Sequence, residues 1–99
     1  MKVKTKSGFE CEIDENKLKD WRYVSTAARL AKSPEDEVSL IDGFDYLIRF
    51  ILGEEQKNKF LEHLAETEGI CDSETVINSF KEITSKAGEK LKKSASSPA

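Results

Sequence analysis

The chain has 99 residues, 35% of them charged and 37% hydrophobic, and a net charge of −3. A chain of that length suits one domain that buries roughly 60–65% of its unfolded surface. No apolar run approaches the ~20 residues of a membrane span, and the Lys-rich, alternating start is not a signal peptide, so a soluble cytosolic protein without membrane contact is expected.

Residues 1–32 carry eight Lys/Arg against five Asp/Glu, residues 33–75 three against twelve, and residues 76–99 five against two. An acidic middle repels the phosphate backbone and argues against a general nucleic-acid binder. It fits solvated helix faces, or a patch that docks a basic segment of a partner. Cys11 and Cys71 form no CxxC and are expected as reduced, small apolar residues. With one His63, they cannot make a four-ligand zinc site.

Met1 to Asp14 reads as a β-hairpin. Val3, Thr5, Phe9, Cys11 and Ile13 alternate with a row of Lys on one arm and a row of acids on the other. Ser7-Gly8 supplies the turn, and the apolar face must rest on a helix, because a lone hairpin is marginal in water. A helix is expected over 15–32, with Asp20 as a candidate break. Its stripe is Leu18, Trp21, Val24, Ala28 and Ala31, widened by Ala27 and Leu30, which assigns Trp21 to the core.

Ser33-Pro34-Glu35-Asp36-Glu37 is a stop followed by a start, with Pro at a first helical position and acids in the first turn. The next helix, 34–52, is the most apolar segment and the expected centre of the fold, with Gly43 inside it and Gly53 closing it. A third helix opens at Glu54, with Phe60, Leu61, Leu64 and Ala65 as its apolar face, and ends at Gly69; His63 is expected to be exposed. Ile70-Cys71 is expected as a short buried connector. A fourth helix, capped by Asp72 or Ser73, repeats Val76, Phe80, Ile83, Ala87 and Leu91. The expected fold class is therefore mainly α with a small N-terminal β-hairpin (α+β), about four helices packing around helix 34–52. The domain spans 1–93 (hairpin 1–14, helical 15–93), and 94–99 form a disordered tail.

No phosphate loop, HExxH, GxSxG or clustered His/Cys/Asp occurs. Asp42 and Asp45 read as one solvent-facing edge, not an acid/base pair. No enzyme activity, cofactor or metal is expected. A DNA-reading helix should be basic and polar on its exposed face, whereas the second and third helices are acidic.

The succession of a Lys-rich hairpin carrying "TKSGFECEID", "DW" opening a helix, a Pro- and acid-containing break, "FILGEEQKNKFLEHL", "EGICDSETV" and a Lys/Ser/Pro tail resembles the short-form tail assembly chaperones of siphophages and prophages of Gram-positive bacteria. The likeness spans nearly the whole chain. It rests on Ser7-Gly8-Phe9-Glu10, Asp20-Trp21 and Leu52-Gly53-Glu54-Glu55-Gln56, which are not catalytic signatures. The resemblance implies a protein of the host bacterial cytoplasm that binds the tape measure protein, helps recruit tail tube subunits, and is absent from the mature virion. It also implies a frameshifted long form that contacts the tube protein, for which Lys92-Lys93 is a candidate slippery site. The alternative reading is a small non-catalytic regulatory or interaction module, such as a phage inhibitor or an antitoxin-like protein.

A holding protein needs apolar strips left partly open and flanked by charge. Helix 34–52 has more apolar residues than one core-facing stripe requires. Phe44, Tyr46, Leu47 and Phe50, with Phe60 on the next helix, are the candidate residues for a partner groove or a surface for homo-oligomerisation.

Overall fold

The structure is a computed structural model that describes residues 1–32 and 36–95. Strands β1 (Lys2–Lys4) and β2 (Glu10–Glu12) are followed by helices α1 (Glu15–Lys19), α2 (Trp21–Lys32), α3 (Glu37–Glu68) and α4 (Ser73–Ala95). Among the described residues this is the expected mainly helical chain with one antiparallel hairpin. None of these helices is long and apolar enough to cross a membrane.

The hairpin follows its alternation. Lys2 faces Glu12, Val3 faces Cys11 and Lys4 faces Glu10, the last pair 3.8 Å apart. Thr5 and Phe9 close the turn through the Thr5 amide and the Phe9 carbonyl at 2.9 Å, and Gly8 takes a φ of 99° that a side chain would resist. Every inward residue, from Val3 to Ile13, is buried. Both outer edges are capped from the helices. Gln56 accepts from the Glu12 amide and donates to the Glu12 carbonyl, at 2.7 and 2.8 Å. On the β1 side, Lys86 donates to the Lys4 carbonyl at 2.8 Å, Lys90 donates to the Lys2 carbonyl, and the Lys6 amide donates to Glu82 at 2.7 Å.

Asp20 does break the helix: its backbone is extended (φ −66°, ψ 134°), and its carboxylate accepts from the Arg22 amide at 2.8 Å, starting a new helix. Asp36 caps α3 by accepting from the Ser39 amide at 2.7 Å, and Asp72 caps α4 by accepting from the Thr75 amide at 2.8 Å. The helices expected at 34–52 and 54–68 are the two arms of α3. They bend at Gly53, whose φ of 78° and ψ of 163° lie outside the helical region, so it is a hinge and not a left-handed cap. Gly69, with φ 76° and ψ −10°, is the left-handed cap. The core gathers Phe9 and Ile13 from the hairpin, Ile51, Phe60 and Leu64 from α3, and Phe80 and Ile83 from α4. Phe9 and Phe60 rings meet at 5.2 Å.

Several expectations are overturned. Trp21 is not a core anchor; it is 76% exposed. The break at Asp20 separates Leu18 from Trp21, so the stripe drawn through both does not exist as one face. The buried side of α2 is Tyr23, Ala27 and Leu30, roughly a third of a turn away, while Val24, Ala28 and Ala31 face solvent. Ile70 and Cys71 are exposed, because Gly69 turns the chain away from the core. His63 is half-buried: its Nε2 lies 3.1 Å from both the Ser7 hydroxyl and the Ser7 carbonyl, and its ring packs 5.7 Å from Phe9. Helix α4 continues through Ala95 and so takes up the first residues of the expected tail. The stop at Ser33-Pro34-Glu35 and the remainder of the tail lie outside the described residues.

Candidate docking surface

Helix α2 is seated on α3 by one close contact. Gly43 is buried on α3, and a Cβ there would lie only 2.6 Å from Leu30 Cδ2. The absent side chain at 43 is the socket for Leu30, which explains a glycine inside an otherwise apolar helix. Seated this way, α2 stands apart from α4, and a cleft of about 490 Å³ opens between them. Tyr23, Ala27 and Ala31 form one wall, Leu40, Phe44 and Leu47 the floor, and Ile77, Lys81 and Thr84 the other wall. Burial pushes the Tyr23 hydroxyl above its ordinary range, and the Thr84 side chain beside it offsets part of the rise. Among the described residues, Lys81 is the one charged residue lining the cleft; its Nζ lies 5.8 Å from the centroid of the Phe44 ring. On the other side of Phe44 a second hollow of about 250 Å³ is lined by Ile41, Ile48, Leu61, Cys71 and Val76, with the Asp45–Lys57 ion pair (3.2 Å) beside it.

The five candidate residues part company. Phe60, Leu47 and Phe44 belong to the core, Phe60 fully and Phe44 with an edge left toward both hollows, so they are not an accessible strip. The reason is packing from both sides: the Gly53 bend brings Phe60 onto Phe9, and α4 sets Phe80 edge-on against Phe44 at 6.5 Å. Tyr46 and Phe50 stack on the surface with ring centroids 6.0 Å apart. Tyr46 is 42% exposed, while Phe50 is half-covered, with Lys17 5.8 Å and Arg22 5.1 Å from its ring centroid. Arg22 is itself held by Asp20, at 3.0 and 2.8 Å. That side-chain pairing drops the Asp20 carboxyl to about 2 and raises the guanidinium.

The exposed apolar surface that sequence reasoning missed is on α2 and at the start of α3. Trp21, Val24, Ala28 and Ala31 line the outer side of α2, and Val38 (77% exposed) and Ile41 (45%) project from α3. Its one available signal was Asp20, whose capping chemistry resets the helical phase at Trp21. Asp42 is exposed, and Asp45 is held by Arg49 at 2.9 Å as well as by Lys57. No protein family, no curated protein and no solved structure matches the chain.

Proposed function

We propose that this protein is a non-enzymatic chaperone of phage tail assembly. In this role it binds helical segments of the tape measure protein in the host bacterial cytoplasm, and a frameshifted long form recruits tail tube subunits. The observation that carries the helix-binding part is the outer side of α2, where a row of apolar side chains including the sole tryptophan faces solvent beside an apolar cleft. Monomeric domains rarely leave a large contiguous apolar surface without a use. A groove between helices, with a helix-spaced stripe at its lip, suits an amphipathic helix. The phage assignment is supported by the order and spacing of the segments quoted above.

Co-expression with the tape measure protein encoded alongside it tests the reading. The wild-type chain keeps that protein in the soluble fraction, and Val24→Asp or Val38→Asp, both at exposed positions, lets it precipitate. A tape measure protein equally insoluble with and without the wild-type chain overturns the proposal.

A further inference from the structure

Trp21, Val24, Ala28 and Ala31 are spaced three, four and three residues apart, the spacing of a coiled-coil seam. On an α-helix this seam has two borders. One is the core face, beyond which lie the cleft and Lys81. The other holds Arg22, Arg29 and Lys32, and no Asp or Glu occurs anywhere in Trp21–Lys32. Arg22 is taken by Asp20, but among the described residues Arg29, Lys32 and Lys81 have no carboxylate partner. An apolar seam therefore runs between cations on both sides, in a protein whose net charge is negative.

We propose that the outer face of α2 docks a helix of another protein whose apolar heptad stripe is bordered by Asp and Glu. This names the partner chemistry of the helix-binding surface and rests on the reading of the protein as a helix-binding chaperone. Ala28 and Ala31 let the partner backbone come close, and Trp21 supplies the large rigid anchor typical of interface hot spots. Charge selects against a second copy of this chain. Pairing α2 with its own image would set Arg29 and Lys32 against the same cations, and like charges brought together at an interface are repelled.

Two model peptides of about three heptads test this, each with Leu along the seam and Ala elsewhere, one flanked by Glu and the other by Lys. Neither carries an aromatic residue, so Trp21 is the reporter. The Glu-flanked peptide shifts Trp21 emission to the blue and shields it from acrylamide, and the Lys-flanked peptide binds at least about tenfold more weakly. Arg29→Glu/Lys32→Glu reverses that order, and Val24→Asp abolishes both signals while thermal unfolding stays unchanged. Equal binding of the two peptides, an unresponsive Trp21, or an order that survives the charge reversal overturns the proposal. So does a blue shift that grows with protein concentration together with a doubled sedimentation mass, because a second copy would then hold the face. An unresponsive Trp21 with the tape measure protein still kept soluble sinks this inference and leaves the chaperone reading standing. Peptide binding without any effect on that protein does the reverse.

Discussion

The hairpin and α2 both begin as thin elements that cannot stand alone, and they end in opposite conditions. The hairpin is closed on its inner face and along both edges: its inward residues are buried, Gln56 occupies one edge, and Lys86, Lys90 and Glu82 occupy the other. Helix α2 rests on one face, through Leu30 in the Gly43 socket, and leaves the adjoining face, about a third of a turn round, apolar and open. The backbone explains the difference. A two-stranded sheet has unpaired amides and carbonyls on both outer edges, which invite pairing with another chain unless side chains occupy them. A helix satisfies its own interior backbone groups, so an uncovered face costs it no hydrogen bonds. A small chain with one modest core can therefore keep a docking face on a helix at little risk to the fold.

The largest expected effect comes from cutting the closed region. Phe60 is fully buried against Phe9, and Phe60→Ala should lower stability by about 3–5 kcal/mol in urea unfolding. Trp21→Ala removes a larger side chain from the open region yet should stay within about 0.5 kcal/mol of wild type. Similar losses for the two variants would mean that the regions do not differ as described. Next in size is Gln56→Ala, which leaves the Glu12 amide and carbonyl without their side-chain cap. A loss of about 1–2 kcal/mol is expected, with faster hydrogen exchange at the Glu12 amide. Unchanged exchange there would show that the edge needs no cap.

Much of the closed region can be read from the sequence, because period two is unambiguous when acids and lysines alternate with Val, Phe, Cys and Ile. The open region resists the same reading for a physical reason. From Trp21 to Ala31 the apolar residues, three of them alanines, are spread around the helix, so two faces satisfy the helical period about equally. Contacts remote in sequence, Leu30 against Gly43 and Tyr23 and Ala27 against the core, decide which one turns inward. The burial of Phe44 and Leu47 was likewise hidden, since it depends on the bend at Gly53 and the return of α4. In both cases local pattern supplied the element, and packing between distant segments supplied its orientation.

One titratable group in each region makes a pH-dependent contribution, and the two have opposite signs. Burial, with a smaller push from Glu12, raises the Cys11 thiol to about 11, whereas Cys71 is exposed. A disulfide-exchange reagent should therefore label one thiol in the native protein and the second only on unfolding. Because the folded value of Cys11 lies above the unfolded one near 9, its contribution to stability is present below pH 9 and is lost between about pH 9 and 11. Replacing it with Ser should shrink that alkaline step to the part that the raised Tyr23 hydroxyl leaves. At the root of α2 the sign is opposite. Asp20 falls from 3.8 to about 2, so the stability it lends is present above pH 4 and disappears as pH drops toward 2. Asp20→Asn should flatten that acid limb in a pH series of thermal melts.

The smallest effect tests the seat of α2 most directly. Glycine inside a helix is less favourable than alanine by about 0.5–1 kcal/mol, so Gly43→Ala should help α3 on propensity alone. The new Cβ, however, would press on Leu30 at 2.6 Å from Cδ2, 3.1 Å from Cδ1 and 3.2 Å from Cγ. Overpacking of that kind costs about 1–3 kcal/mol where nothing can move. Here the opposing atoms are the free end of a side chain that also lines the cleft, so Leu30 can swing aside, and the net loss should stay below about 1 kcal/mol. The informative measurement is the same substitution in a Leu30→Ala background. With the clash removed, Gly43→Ala should become stabilising by roughly 0.5–1 kcal/mol, a reversal of sign that couples the two positions. An identical effect in both backgrounds would mean that α2 is not held by this socket, and the face it turns outward would lose its structural explanation.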